Sequence, residues 1–370
     1  MVAESALCLG SDYEYLLTFM PEGWQAKAKE LGALRRCRKI PDAATLLRIL
    51  LLHLAEGHSL RTTAALVREG GIAQVSDVAI MDRLKRSGEW FRWMSERLMR
   101  DCVGRQPSAV YPGRWNVRLV DATRVKEPGP TGSSWCVHYS VGLPSLHCDE
   151  LSVTDKRGNG ETFRRFAVEP GDLLIGDRVY GVAPGIRHVV GRGGDVLVRF
   201  SWTNLPLERC RGGAFDLFKH LRTLDGTRLG DWPVRVRDES DGVAGRICAV
   251  KKSRQAAEKA QRDARRAAQK QGTAVRPETL EAAGYIFVFT TVDAKSLSPG
   301  KVLEFYRGRW QIELVFKRLK SILALGHLRK SDPEAAQAWL QGKLFVAFVL
   351  ESLLHYGESF FPWGYPLRTI

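Results

Sequence analysis

"YRGRWQIELVFKRLK", residues 306–320, holds the pattern that decides how this chain is read. Placed on a helix at about 100° per residue, Tyr306, Arg309, Glu313 and Lys320 fall on one stripe. Beside it runs a second stripe, Phe305, Ile312, Phe316, Leu319 and Leu323, which is wholly apolar and so faces a core. Ser298-Pro299 offers a cap and a first-turn proline, and Gly326 offers a stop, so the spacing predicts one helix over this region. Glu313 then stands at the edge of a buried face, with cations along its own stripe.

Composition narrows what such a carboxylate can serve. The chain has 370 residues, 44% of them apolar, a length that predicts two or three domains. The net charge of +15 points to a polyanionic partner, nucleic acid or an anionic membrane surface. The membrane reading is weak: "LLRILLLHLA" (46–55) and "KLFVAFVLESLL" (343–354) are too short to span a bilayer. The start, "MVAESALCLG", lacks the basic end of a signal peptide. Seven scattered cysteines without a C-x-x-C pair suggest reduced thiols in a cytoplasmic compartment and no structural zinc.

Along the chain, residues 1–112 read as a helical N-terminal domain. "SLRTTAALVREGG" and "VSDVAIMDRLKRSG" are two short helices around a Gly turn, either a DNA-binding helix-turn-helix or an ordinary helical hairpin. From Trp115 the texture turns strand-like: "NVRLVDATRV", "SWCVHYSVG", "DELSVTD", "DLLIGD" and "DVLVRFSW", with helical stretches at "GETFRRFAV" and "GVAPGIRHVV". That order predicts an α/β fold, a mixed sheet covered by helices, over residues 113–202. Residues 203–297 read as a β-rich insertion with strands at "WPVRVR", "GRICAVK" and "YIFVFTTV". Between the last two lies a helix at 251–272 with eight Lys or Arg against two acids. It is either a phosphate-binding face or a solvated charged helix. The helices of 298–356 follow, then a tail, 357–370.

Asp121 and Asp177 each sit where an apolar strand runs out, sharing a side with Val117 and Leu119, and with Leu173 and Ile175. Singly, each is more often a turn acid, a cap or a surface ion pair. Three converging carboxylates, Asp121, Asp177 and Glu313, would repel one another without a cation and make an oxygen-rich site for Mg²⁺ with one. Two such ions about 4 Å apart serve phosphodiester displacement. Arg309, Lys317 and Lys320 can hold phosphates near Glu313, and Tyr306 can donate to one. The alternative is a salt-bridged helix face, Glu313 with Arg309 or Lys317 at spacing four. No G-x-x-x-x-G-K-[ST] loop is present, which disfavours a nucleotide cofactor.

At these residues a resemblance enters. Tyr306-x2-Arg309-x3-Glu313-x6-Lys320 resembles the signature of the DDE transposases of bacterial insertion sequences, in the branch known by that Tyr-Arg-Glu-Lys pattern. "LVDATRV" is similar to the family's first motif and "IGDRVYG" to its second. The resemblance spans roughly residues 20–355. It implies a ribonuclease-H-like mixed sheet flanked by helices, with Asp121, Asp177 and Glu313 holding two Mg²⁺ or Mn²⁺ ions. It implies nicking of DNA at transposon ends and strand transfer into target DNA by a dimer on paired ends. Arg309 and Lys320 would hold end DNA. Some members hold a flipped base with a tryptophan of the insertion. Trp202, in "RFSWTNLP", is the candidate counterpart, and a core tryptophan is the alternative. Members commonly continue well past the last helix. The short end here raises the reading of a truncated DNA-binding inhibitor without catalysis; a same-fold nuclease that cuts but does not join is a further alternative.

Overall fold

After a helical stretch at 12–17 come five helices: α1 (Trp24–Glu30), α2 (Ala43–Leu54), α3 (Leu60–Glu69), α4 (Asp77–Arg86) and α5 (Gly88–Gly104). Asp42, Ser59 and Ser76 cap α2, α3 and α4 by accepting from the amide three residues on, so the starts are set locally. Leu46, Leu47, Ile49, Leu50 and Leu54 of α2 are all fully buried. In α4 the buried side is Ile80 and Leu84, the register next to the one beginning at Val78, which is exposed. The Trp90 indole stacks on Trp24 and donates to its carbonyl at 2.9 Å, fastening α5 to α1. The structure, a computed structural model, describes residues 12–104, 115–128, 134–155, 158, 160–237, 242–326, 328, 330 and 332–359. The expectations for the first ten residues and for the far tail lie outside these.

The strands are β1 (Asn116–Lys126), β2 (Ser134–Leu143), β3 (Cys148–Thr154), β4 (Asp172–Gly176), β5 (Asp195–Arg199), β6 (Leu207–Arg209), β7 (Gly230–Val236), β8 (Val243–Lys251) and β9 (Tyr285–Thr290). The described strands form one sheet in the order β3-β2-β1-β4-β5-β9-β8-β7-β6. β1, β2 and β3 form an antiparallel meander, while β4 and β5 run parallel to β1. This is the ribonuclease-H-like arrangement. All five residues of β4 are buried, as a central parallel strand covered on both faces requires. β9 pairs antiparallel with β5, so the strands of 203–297 extend this sheet.

Helices cover both faces. α6 (Ala183–Val190) and α7 (Leu217–Leu221) lie on one side. α8 (Arg254–Lys270), the basic helix, has no buried residue, and α9 (Pro277–Ala282) follows it. On the other side, α10 (Pro299–Gly308) and α11 (Trp310–Ile322) pack on the sheet, α11 against β1. α12 (Pro333–Ser359) packs between the N-terminal helices and β3, so helical region and sheet share one core. No described helix is long and apolar enough to cross a membrane.

Arg118 ties the strands together below the level of Asp121. Its guanidinium reaches Asp149 at 3.0 Å, Glu150 at 2.8 Å and Asp172 at 3.1 Å, and donates to the Ala167 carbonyl at 2.6 Å. One nearly buried cation thus satisfies three carboxylates from β3 and β4. Arg118→Met leaves those charges facing one another, and breaking such a pair costs about 3–5 kcal/mol. Urea unfolding is expected to show a loss of that order, and a loss below about 1 kcal/mol would contradict the assigned role.

Candidate active site

The β1–β4 register fixes two of the acids. Val117 pairs with Leu173 and Leu119 with Ile175, where the pairing stops. Two residues further along both chains stand Asp121 and Asp177, level with each other and on the same face. Asp121 does not end its strand: β1 runs on to Lys126 because β2 still pairs with it, Asp121 opposite Tyr139. What ends there is the β4 neighbour, and that opens room for the carboxylates. Asp121 Oδ1 accepts from the Ala122 amide at 2.8 Å, and Asp177 Oδ1 from the Val179 amide at 2.8 Å. Asp177 thereby caps a tight turn, Arg178–Tyr180. The glycines around it are needed for contact. A Cβ at Gly176 would stand 2.9 Å from the Phe163 and Tyr180 rings' atoms or stems, and one at Gly181 would stand 2.6 Å from the Arg199 carbonyl. "IGDRVYG" is therefore a turn pressed against β5.

The third acid comes from a helix that is not continuous. Ser298 caps α10 as the sequence predicts, but the single helix expected over 299–325 breaks at Arg309. There the hydrogen bonds tighten to three-residue spacing, Arg309 N–H to Tyr306 and Ile312 N–H to Arg309. Gly308, a poor helix former, precedes the break. The four-residue stripe is thus divided, with Glu313 in the first turn of α11. The stop also differs: Ala324, at φ 51°, makes the left-handed turn after Ile322 in place of Gly326. This turn drops Leu325 into the core, where it is 1% exposed. Ile312, Phe316, Leu319 and Leu323 are buried as expected, and Phe316 packs edge-on against Tyr139 at 6.0 Å, anchoring α11 over β1.

Arg309 joins the acids. One nitrogen of its guanidinium lies 3.4 Å from Asp121 Oδ2, and the other pairs closely with Glu313 Oε1. Its guanidinium also lies 6.0 Å from the centre of the Tyr306 ring. Burial pushes the Asp121 carboxyl up to about 7, and the charges of Asp177 and Glu161 add to this, against the pull of the Ala122 amide and Arg309. Burial and the neighbouring acids together oppose ionisation of Asp121 by more than the Ala122 amide and Arg309 favour it. All donors are carboxylate oxygens, the set preferred by a hard divalent cation such as Mg²⁺ or Mn²⁺, and in this respect the residues fit one. Among the described residues no three His, Cys, Asp or Glu side chains stand close enough to hold an ion as arranged here. The expected convergence of three acids is met by two at one level, with Glu313 turned to Arg309.

Of the cations expected on the helix face, Arg309 takes Glu313, so Lys317 does not. Lys317 and Lys320 are exposed and make no ion pair among the described residues. Trp202 is half-buried, edge-on to Phe218 at 5.5 Å beside the second core, and it lines one cavity with Arg178 and Arg199. Two residues went unnoticed in the sequence. Glu161, 3.7 Å from Arg124, adds its charge to Asp121, and burial together with Asp177 pushes its own carboxyl up. The Tyr180 hydroxyl is fully buried without a hydrogen-bond partner, within the field of Asp121, Glu161 and Asp177. Tyr180 stood in the motif but reads as core. Glu161 follows a turn without periodicity, and nothing local marks it.

Residues 112–349 match the family described as "Transposase DDE domain". "Putative transposase InsL for insertion sequence element IS186A" of Escherichia coli strain K12 is 33% identical over 348 residues, 92% of this chain and 93% of that protein. "Transposase for insertion sequence element IS421" of Escherichia coli is 33% identical over 349 residues, with the same coverage. The chain belongs to the DDE transposases of bacterial insertion sequences. It is thereby an enzyme of DNA strand cleavage and transfer. The matched part of the transposase takes in the whole sheet, Asp121, Asp177, Glu313 and most of α12, and leaves α1–α5 outside.

The raised carboxyl sets a pH dependence. In metal-free protein the unfolded chain loses the Asp121 proton near pH 4 while the folded chain keeps it to about pH 7. Stability therefore falls as pH rises across that window and stays lowered above it. Asp121→Asn is expected to raise the melting temperature at pH 8 and to change it little at pH 4. An equal shift at both pH values would contradict the burial of that charge.

Proposed function

We propose that Asp121, Asp177 and Glu313 are the catalytic carboxylates of this transposase and hold two divalent ions at the level where β4 ends. The observation that carries this is the β1–β4 register, whose continuation by two residues brings Asp121 level with Asp177, together with Arg309, which links Asp121 to Glu313. Bound Mg²⁺, with Mn²⁺ as a substitute, supplies Lewis acidity for activating an attacking hydroxyl and stabilising the leaving oxygen. The chain's own residues do the rest. The β1–β4 register and the Ala122 and Val179 amides hold the two aspartates in place. The α11 packing through Ile312 and Phe316 fixes the distance of Glu313 from β1.

Arg309 has a double part in this reading. Without an ion its guanidinium offsets the negative cluster; with one, it is free to turn to a DNA phosphate. Tyr306 lies near the end of α10 beside Arg309, and the two lysines of α11, unpaired among the described residues, are available to the DNA backbone. The substrate on this reading is double-stranded DNA, the transposon ends and then the target, bound by a dimer that pairs two ends. The net charge of +15 supports a polyanion partner.

The direct experiment is a cleavage and strand-transfer assay with a labelled duplex carrying the element's end and its flank. Glu313→Gln is expected to abolish nicking and joining in Mg²⁺ while end affinity stays within about threefold, because that side chain is assigned to the ion and not to the DNA. Normal cleavage by the variant would remove Glu313 from the site. A second measurement concerns the helix edge. Lys320→Ala should weaken end binding and lower the slope of log affinity against log salt by about one, the share of one phosphate. An unchanged slope would deny the contact.

A further inference from the structure

Near Asp177 lies a group of cations that form no ion pair with the carboxylates among the described residues. Arg178 follows Asp177 in the turn, Arg199 ends β5, and Lys252 follows β8. All three line one open cavity of about 730 Å³ between the sheet and α8. Arg178 and Arg199 make no ion pair among the described residues, and the Nε of Arg199 is buried without any hydrogen-bond partner. Lys252 donates to the Ala283 carbonyl at 2.8 Å, which leaves its charge uncompensated. Across the cavity the α8 wall is Ala260, Ala264, Ala267 and Ala268, small residues that leave the space open, with Asp263 as its one acid, so the three cations still outnumber it.

Like charges in partial burial repel one another unless an anion joins them. Arg199 is held below its ordinary range by burial and by Arg178. Lys252 is lowered by burial and then by Arg199 and Arg178. A guanidinium with an unused buried Nε–H offers a donor fork, and phosphate oxygens match it. The group also adjoins the proposed reaction site, since Arg199 feels the charges of Tyr306, Arg309 and Asp177.

We infer that Arg178, Arg199 and Lys252 form a subsite for one DNA backbone phosphate, distinct from the phosphate that is cut. The inference rests on the reading of Asp121, Asp177 and Glu313 as the cleavage site. A strand crossing that site has its reacting phosphate at the carboxylates and a neighbouring linkage at the cations, where the alternation of sign holds the strand in register.

The test uses the full chain and end duplexes in which single phosphates are replaced by neutral methylphosphonates, scanned across the cut position. Wild-type protein should lose about tenfold in affinity at one or two linkages beside the cut. The Arg178→Ala, Arg199→Gln pair should bind the unmodified duplex about tenfold more weakly, with a salt slope lower by about one, and should no longer respond to those linkages. Arg178→Ala alone, an exposed change that leaves the fold alone, should show part of the same loss. The melting temperature of the pair should be unchanged or higher, because the exchange removes crowded like charges.

An unchanged slope and an unchanged methylphosphonate profile in the pair would overturn the subsite. So would a flat wild-type scan in which inorganic phosphate alone raises the melting temperature through Arg199, since the anion would then be a free one. Cleavage of the same duplex by wild type keeps the two readings apart. Cutting with an unaltered profile in the pair removes only the subsite, whereas wild type that neither binds nor cuts the duplex removes both.

Discussion

A buried carboxylate beside a second one is the constraint around which this site is arranged. Asp121 sits on a strand whose neighbour β4 has just ended, so it gains depth from β1 and β2 and loses a backbone partner on the other side. Asp177 shares its level, and Glu161 adds charge from behind. Burial and like charge both oppose ionisation, and the Asp121 carboxyl rises to about 7. Such a place calls for a cation. In this structure Arg309 answers, one nitrogen to Asp121 and another to Glu313. On the proposed reading metal ions take over that duty during the reaction.

The rest of the fold can be understood as holding this arrangement still. Arg118, one turn of the pleat below, ties β1 to the ends of β3 and β4 through three carboxylates. Gly176 and Gly181 let the Asp177 turn press against Phe163, Tyr180 and β5. Ile312 and Phe316 set α11 on β1, so that a charged edge can stand beside a buried face. The same packing explains the break at Arg309. A straight helix would carry Arg309 and Glu313 on one stripe. The break puts Arg309 at the end of α10 and Glu313 at the start of α11, where the helix dipole favours an acid.

Much of this was readable from the sequence, for identifiable reasons. Period-two burial marked Asp121 and Asp177 at the same side of their strands, and an apolar stripe marked the helix of Glu313. Caps such as Ser59, Ser76 and Ser298 were legible because the bond that makes them spans three residues. Features set by distant contacts were not. The sequence pattern marks residues 203–297 as a β-rich insertion, but that its strands join the sheet through β9 on β5 is set by tertiary pairing. The turn at Ala324 answers to packing between elements and no local residue type announces it, while Gly308 is the one local mark of the break at Arg309. Glu161 and Arg199 meet the site only through tertiary structure, so neither carries a local signature.

The central claim is that Asp121 and its partners require a cation in addition to Arg309. The most direct measurement is Mn²⁺ binding, followed by the electron paramagnetic resonance signal of the free ion, in wild-type protein and in Asp121→Asn with end duplex present. Saturable binding is expected for wild type, lost or weakened at least about tenfold in the variant, since each carboxylate removed from an oxygen site takes away charge and a donor. Equal binding by the two proteins would contradict it and would leave Arg309 as the permanent counter-charge of the cluster.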